Sequence, residues 1–271
     1  MPPLTISYGD HASQFMRVSV PASPPPSGAP VAVLVHGGYW KQKWTVDNTP
    51  MPSVVPSLLE AGMAVAEVEY RRRDDEGGGY PGTNTDVKDA VHALVRLRDD
   101  GLPLDLSDVI LLGHSAGGTL VLWLAAQPLA VRVRLVVAVA PVADLVQGYE
   151  RKLSDEGDAI QLYMKCTPDD PGGADKYRTA SPAAHVPLPV PLLLVTGDKD
   201  EDVPPDMVRA YHASCAAARK TTGLPDGVPE LTLLEISGAD HYSVLTAGDP
   251  AWTDVLQAML DVRGALARQD T

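Results

Sequence analysis

The stretch VILLGHSAGGTL, residues 109–120, constrains this chain more than any other. Its first four residues read as a buried strand, and AGGTLVLWLAAQ, which begins at Ala116, reads as a helix. Only a few residues lie between, so the backbone must turn from strand to helix within Gly113-His114-Ser115-Ala116-Gly117. That is the G-x-S-x-G pattern. Between a strand and a helix it forces the serine into a strained conformation, its hydroxyl standing above the sheet at the positive end of the helix.

The rest of the chain keeps the same rhythm. VAVLVHGG, MAVAEVEYR, VRLVVAVAP, PLLLVTGD and LTLLEISGAD are further apolar strands. Helical stretches are expected near Met51–Ala61, through Val87, Val91, Leu94 and Val95, and from about Trp252 to Ala267. Apolar strands alternating with helices predict an α/β protein, a mostly parallel sheet covered on both faces. Ligands of such sheets sit at the carboxyl ends of the strands. Phe15–Val20 reads as a short edge strand, and PASPPPSGAP, Pro21–Pro30, as an exposed connector. The rhythm breaks at residues 146–186, rich in Gly, Pro and Asp. We expect a small cap insertion there, within a single domain covering 1–271.

A serine hydroxyl is a poor nucleophile without a base. Of the seven histidines, His92 and His212 fall within helical stretches, and His36 and His114 lie inside the glycine motifs, where they brace their loops. His241, in EISGADHYSVL, follows the last apolar strand and is the candidate base. The histidine in turn needs an acid to hold its tautomer. LLLVTGDKDEDVPPDM offers Asp198, Asp200, Asp202 and Asp206, and spacing does not choose among the first three. The chain order Ser…Asp…His is that of the α/β-hydrolase fold.

A tetrahedral oxyanion needs backbone N–H donors. Ala116, after the nucleophile, is one; Gly37 and Gly38 in VLVHGGYW supply the other, because glycine lets the backbone approach a substrate without a Cβ in the way. Tyr39 and Trp40 follow on the same loop and are expected in the substrate pocket. Trp44, Tyr70, Tyr80, Tyr149 and Tyr163 complete the aromatic set near the site.

HGGYW together with GHSAGG resembles the HGG-loop esterase/lipase group of α/β-hydrolases. Within it the chain is most similar to kynurenine formamidases (arylformamidases) and related bacterial carboxylesterases. In that group the acid lies in a G-x-x-D-x-x-V-P pattern, matched by Gly197, Asp200, Val203 and Pro204, so the resemblance assigns the acid to Asp200. It implies a serine hydrolase cleaving a small carboxylic ester or aryl formamide through an acyl-enzyme, with no cofactor and no metal. Arylformamidase proper, or an acyltransferase or thioesterase on the same triad, are the alternatives. A binding protein on this fold would be marked by a missing triad residue, and all three are present.

Composition narrows the partners. A net charge of −13 argues against nucleic acid and anionic membranes. No apolar stretch is long enough to span a membrane, and the first residues lack a basic segment followed by an apolar core. Cys166 and Cys215 read as free thiols. These features together predict a cytoplasmic protein acting on a small molecule, with a homodimer left open.

Overall fold

The computed structural model describes residues 2–221 and 231–269. Eight strands form one sheet: β1 (Leu4–Ser7), β2 (Phe15–Ser19), β3 (Ala29–Val35), β4 (Ala64–Val68), β5 (Leu104–His114), β6 (Val133–Val139), β7 (Leu192–Gly197) and β8 (Leu231–Ile236). Their order is β1-β2-β4-β3-β5-β6-β7-β8. Strands β3 to β8 run parallel, while β1 and β2 pair antiparallel at one end.

The parallel strands are apolar at nearly every position because both faces are covered. Side chains alternate between faces along a strand, and here the alternation sorts them into two cores. Val31, Val33 and Val35 of β3 join Val109 and Leu111 of β5 on one face. Ala32 and Leu34 join Ile110 and Leu112 on the other. The first core is roofed by α2 (Gly82–Asp99), α3 (Ala116–Ala125) and α7 (Pro205–Thr221), the second by α1 (Val55–Glu60) and α8 (Pro250–Gln269). Each fully buried Val or Leu contributes roughly 1.5–3 kcal/mol, so these two layers carry the fold.

Two expectations change. Phe15–Ser19 is a strand, but it lies inside the sheet; the edge is β1, whose four residues, LTIS, are too short and too exposed to show as a strand in the sequence. The proline-rich connector also gives its last two residues to β3, where Ala29 and Pro30 pair with Leu104 and Asp105 before a register shift at Pro30/Val31. Proline is tolerated at such an irregularity because it has no N–H to lose there.

Residues 146–186 hold no strand. They contain most of α4 (Leu145–Glu150), then α5 (Ala159–Met164), α6 (Gly173–Ala180) and a 3-10 turn at Pro182–His185. Cys166 and Cys215 are free thiols. Among the described residues, no helix is long and apolar enough to cross a membrane.

Candidate active site

The carboxyl ends of β3, β5, β7 and β8 bring the candidate residues to one place. Ser115 stands between β5 and α3 with φ 54° and ψ −121°, outside the regions L-residues favour. Its N–H donates to the Val139 carbonyl on β6 at 2.8 Å, which anchors the turn to the neighbouring strand. The turn also presses against β3: a Cβ on Gly117 would sit 1.9 Å from the Val35 carbonyl oxygen. Gly37 makes the reciprocal approach, since a Cβ there would lie 2.8 Å from both the His114 carbonyl oxygen and Ser115 Cβ. The first glycine of HGGYW is therefore required by the closeness of its backbone to Ser115.

His241, past β8, places Nδ1 2.8 Å from Asp200 Oδ2. The other oxygen of Asp200 accepts the N–H groups of Asp202 at 3.0 Å and Val203 at 2.8 Å. Both His241 and Asp200 are buried. The remaining aspartates are used elsewhere. Asp198 accepts from the Gly238 N–H at 2.7 Å and the Ser237 hydroxyl at 3.2 Å, and Asp206 forms an exposed ion pair with Arg151.

Ser115 and His241 face a common cavity of about 50 Å³, with Gly37, Gly38, Tyr39, Trp44, Thr49, Pro50, His114, Asp202 and Tyr242 around it. Among the described residues no hydrogen bond joins the Ser115 hydroxyl to His241. The N–H groups of Gly38 and Ala116 likewise donate to no acceptor there, and Ala116 has none to find as the first residue of α3. The cavity thus collects the Ser115 hydroxyl, an oriented imidazole and the Gly38 backbone, while Ala116, next in sequence to Ser115, is buried and not among the lining residues.

His114 and His36 both act as braces, as expected. His114 Nε2 meets the His241 carbonyl oxygen at 2.8 Å. Burial, and secondarily the neighbouring His241, push the His114 pKa down to about 3, so this ring is neutral and Nε2–H is the donor. His36 Nδ1 lies 2.8 Å from the Gly37 carbonyl oxygen. Burial first, and then Asp202, push the Tyr39 phenol well up; it stays protonated and donates to the Asp202 carbonyl at 2.6 Å.

Trp40 is placed differently from the expectation. It is fully buried and stacks on Tyr163 of α5, ring centroids 3.9 Å apart, away from the cavity lining. Tyr39 and Trp40 both have left-handed backbones, φ 51° and 54°, and this turn sends the two rings to different surroundings. Tyr70 and Tyr163 are also core residues. Sequence reasoning missed Tyr242, Thr49 and Pro50 in the lining. Tyr242 had a signal, its position directly after the candidate base; the other two had none.

Among the described residues, one set of potential metal ligands lies close together: Asp200, Asp202 and His241, with ligand atoms within 4.8 Å of one another. Asp200 already spends one oxygen on His241 and the other on two N–H groups, and the Asp202 carboxylate takes a hydrogen bond from the Tyr242 hydroxyl. The donor set fits a histidine–carboxylate pair better than a metal centre.

A mostly parallel eight-stranded sheet with a strained serine after β5 and a histidine after β8 defines an α/β-hydrolase of the esterase/lipase group. The BD-FAE family model matches residues 18–214, and the chain belongs to that family. Its fold is similar to that of esterase B from Lactobacillus rhamnosis, at 20% identity and a TM-score of 0.76, over 99% of this chain and 86% of that one. It is also similar to a bifunctional GH43-CE protein of Bacteroides eggerthii, at 21% identity and a TM-score of 0.74, over 97% of this chain and 37% of that one. A puromycin hydrolase is similar at 21% identity and a TM-score of 0.72, over 98% and 39%. No curated protein matches the chain.

Proposed function

We propose that the protein is a serine hydrolase of small carboxylic esters. The observation that carries this reading is the 2.8 Å His241–Asp200 contact beside a cavity shared by His241, Ser115 and the Gly37–Gly38 backbone. Ser115 Oγ attacks the ester carbonyl carbon as His241 Nε2 takes its proton. Asp200 holds the ring by Nδ1 and stabilises the imidazolium. The Gly38 and Ala116 N–H groups receive the oxyanion, each worth roughly 3 kcal/mol in the transition state. The C–O bond of the ester breaks, the alcohol leaves with the proton from His241, and an acyl-Ser115 remains. Water then gives a proton to His241 and attacks the acyl carbon; Ser115 regains its proton and the acid leaves.

Size supports a short acyl group. About 50 Å³ is far below the 300 Å³ or more of a pocket for a drug-sized ligand. Residues 146–186 contribute nothing to the lining, so we read them as a brace behind the oxyanion loop, through the Trp40–Tyr163 stack and the Lys41–Glu156 ion pair, rather than a lid. A second reading, aryl formamide cleavage, is favoured by the aromatic walls Tyr39, Trp44 and Tyr242 around a space suited to the smallest acyl group.

The test is a comparison of kcat/KM on p-nitrophenyl acetate, p-nitrophenyl octanoate and N-formyl-L-kynurenine, with Ser115→Ala as control. Acetate well ahead of octanoate is the expected result. A formamide rate far above acetate would move the protein to the second reading. Full turnover by Ser115→Ala would overturn both.

A further inference from the structure

We infer that Glu69 is a positioning residue for the oxyanion donor, acting through His36; the inference rests on the serine-hydrolase reading. Glu69 directly follows β4 and is buried. Four donors converge on its carboxylate. Oε1 meets His36 Nε2 at 3.1 Å, the Tyr70 N–H at 3.2 Å and Arg72 Nη1 at 2.9 Å, while Oε2 accepts the Val46 N–H at 2.8 Å. Burial opposes the charged form, but the His36 hydrogen bond and charge, the Val46 N–H and Arg72 outweigh it and hold the carboxyl below the usual range. His36 and Val46 bracket the loop that supplies Gly37, Gly38, Tyr39 and Trp44 to the cavity. One buried carboxylate therefore ties both ends of the oxyanion loop.

What passes through His36 is direction. Its Nδ1 lies 2.8 Å from the Gly37 carbonyl oxygen and its Nε2 3.1 Å from the carboxylate, so one ring bridges the two. The Gly37 carbonyl is drawn to the ring. In a planar trans peptide the carbonyl and the following N–H point opposite ways, so the Gly38 N–H is turned from the ring to the cavity. Tyr70 closes the frame, stacking on His36 at 4.4 Å and donating its hydroxyl to the His36 carbonyl at 2.7 Å. Arg72 is held in turn by Asp75 at 3.1 Å and by the Ser13 hydroxyl at 2.9 Å. Without the carboxylate, His36 loses the partner that orients it, and the Gly37–Gly38 peptide is free to rotate.

Glu69→Gln keeps the size but offers one acceptor oxygen to four donors. The expected result is a fall in kcat on p-nitrophenyl acetate of about 10- to 100-fold with KM within about twofold. Affinity for a trifluoromethyl ketone, whose adduct with Ser115 needs the same donor, falls in parallel. Glu69→Asp retains the charge beside Arg72 but is too short to span His36 and Val46; it shifts kcat the same way by less, and decides the matter if the glutamine variant does not fold. Asp108→Asn weakens the ion pair to Arg263 of α8, away from the oxyanion loop, and lowers the melting temperature at unchanged kcat. Glu69 variants that melt earlier yet keep full kcat and ketone affinity would overturn the inference. A wild-type protein inert toward every activated ester would overturn the serine-hydrolase reading, and this inference with it.

Discussion

The side chain of His114 holds the main chain of His241: its Nε2–H donates to the His241 carbonyl at 2.8 Å, across 127 positions of sequence. The residue before the candidate nucleophile thus sets the height of the candidate base. The two rings lie tilted, centroids 4.6 Å apart, which brings the imidazole of His241 over the turn that carries Ser115.

His114→Gln removes the titratable ring and keeps an amide N–H that can reach the His241 carbonyl. The native ring has a pKa of about 3 against an ordinary value of 6.5, so between these values the unfolded chain binds a proton that the native protein does not. Wild-type stability from this group is therefore lost as pH falls below 6.5, by up to about 1.4 kcal/mol per pH unit. Urea unfolding at pH 7 and pH 4.5 should show wild type losing more stability than the variant. Equal losses would mean that the ring is charged in the native state.

Asp200 and Asp198 separate by role. Asp200→Asn should lower kcat about 10³- to 10⁴-fold with little change in KM, because the amide cannot hold the His241 tautomer. Asp198→Ala removes bonds to Ser237 and Gly238 only, and should cost about 1 kcal/mol of stability with kcat within about threefold. Steady-state rates on one activated ester check both. The reverse ranking would give the acid role to Asp198.

Ser115 stores strain. Ser115→Ala should abolish turnover, by at least about 10⁴-fold, without changing stability much, since alanine is strained in the same backbone. Ser115→Gly should also be inactive, yet more stable than the alanine variant by about 1 kcal/mol, because glycine adopts φ 54° and ψ −121° freely. Thermal melts of the two variants measure the difference; identical melts would remove the strain argument.

Trp40 belongs to the core. Trp40→Ala should cost about 3–5 kcal/mol by leaving a cavity against Tyr163, and any loss of activity should follow from a loosened loop, as a fall in kcat. Denaturant unfolding with kinetics on the folded fraction tests this. A raised KM at unchanged stability would return Trp40 to the substrate pocket.

Much of the site was legible in the sequence because its signals are local. A strand, a two-glycine turn and a helix around Ser115 leave the backbone one way to go, and the apolar strands of a parallel sheet stand out because both faces are buried. The order Ser…Asp…His follows from the succession of strands. Tertiary structure decided the rest. Asp198, Asp200 and Asp202 lie within five positions, and spacing could not separate them. The family resemblance pointed to Asp200, and it is the approach of the β8 loop across β7 that puts His241 2.8 Å from that carboxylate. Trp40 is next to a cavity-lining residue in sequence, but its place depends on a stack with Tyr163, 123 positions further along the chain. Glu69 reads as a polar residue after an apolar strand, and its four donors come from β4's own exit and from the ends of the loop that follows the neighbouring strand β3. Local patterning determines where a chain turns; which groups then meet is decided by packing between segments far apart in sequence, and that is a property of the folded whole.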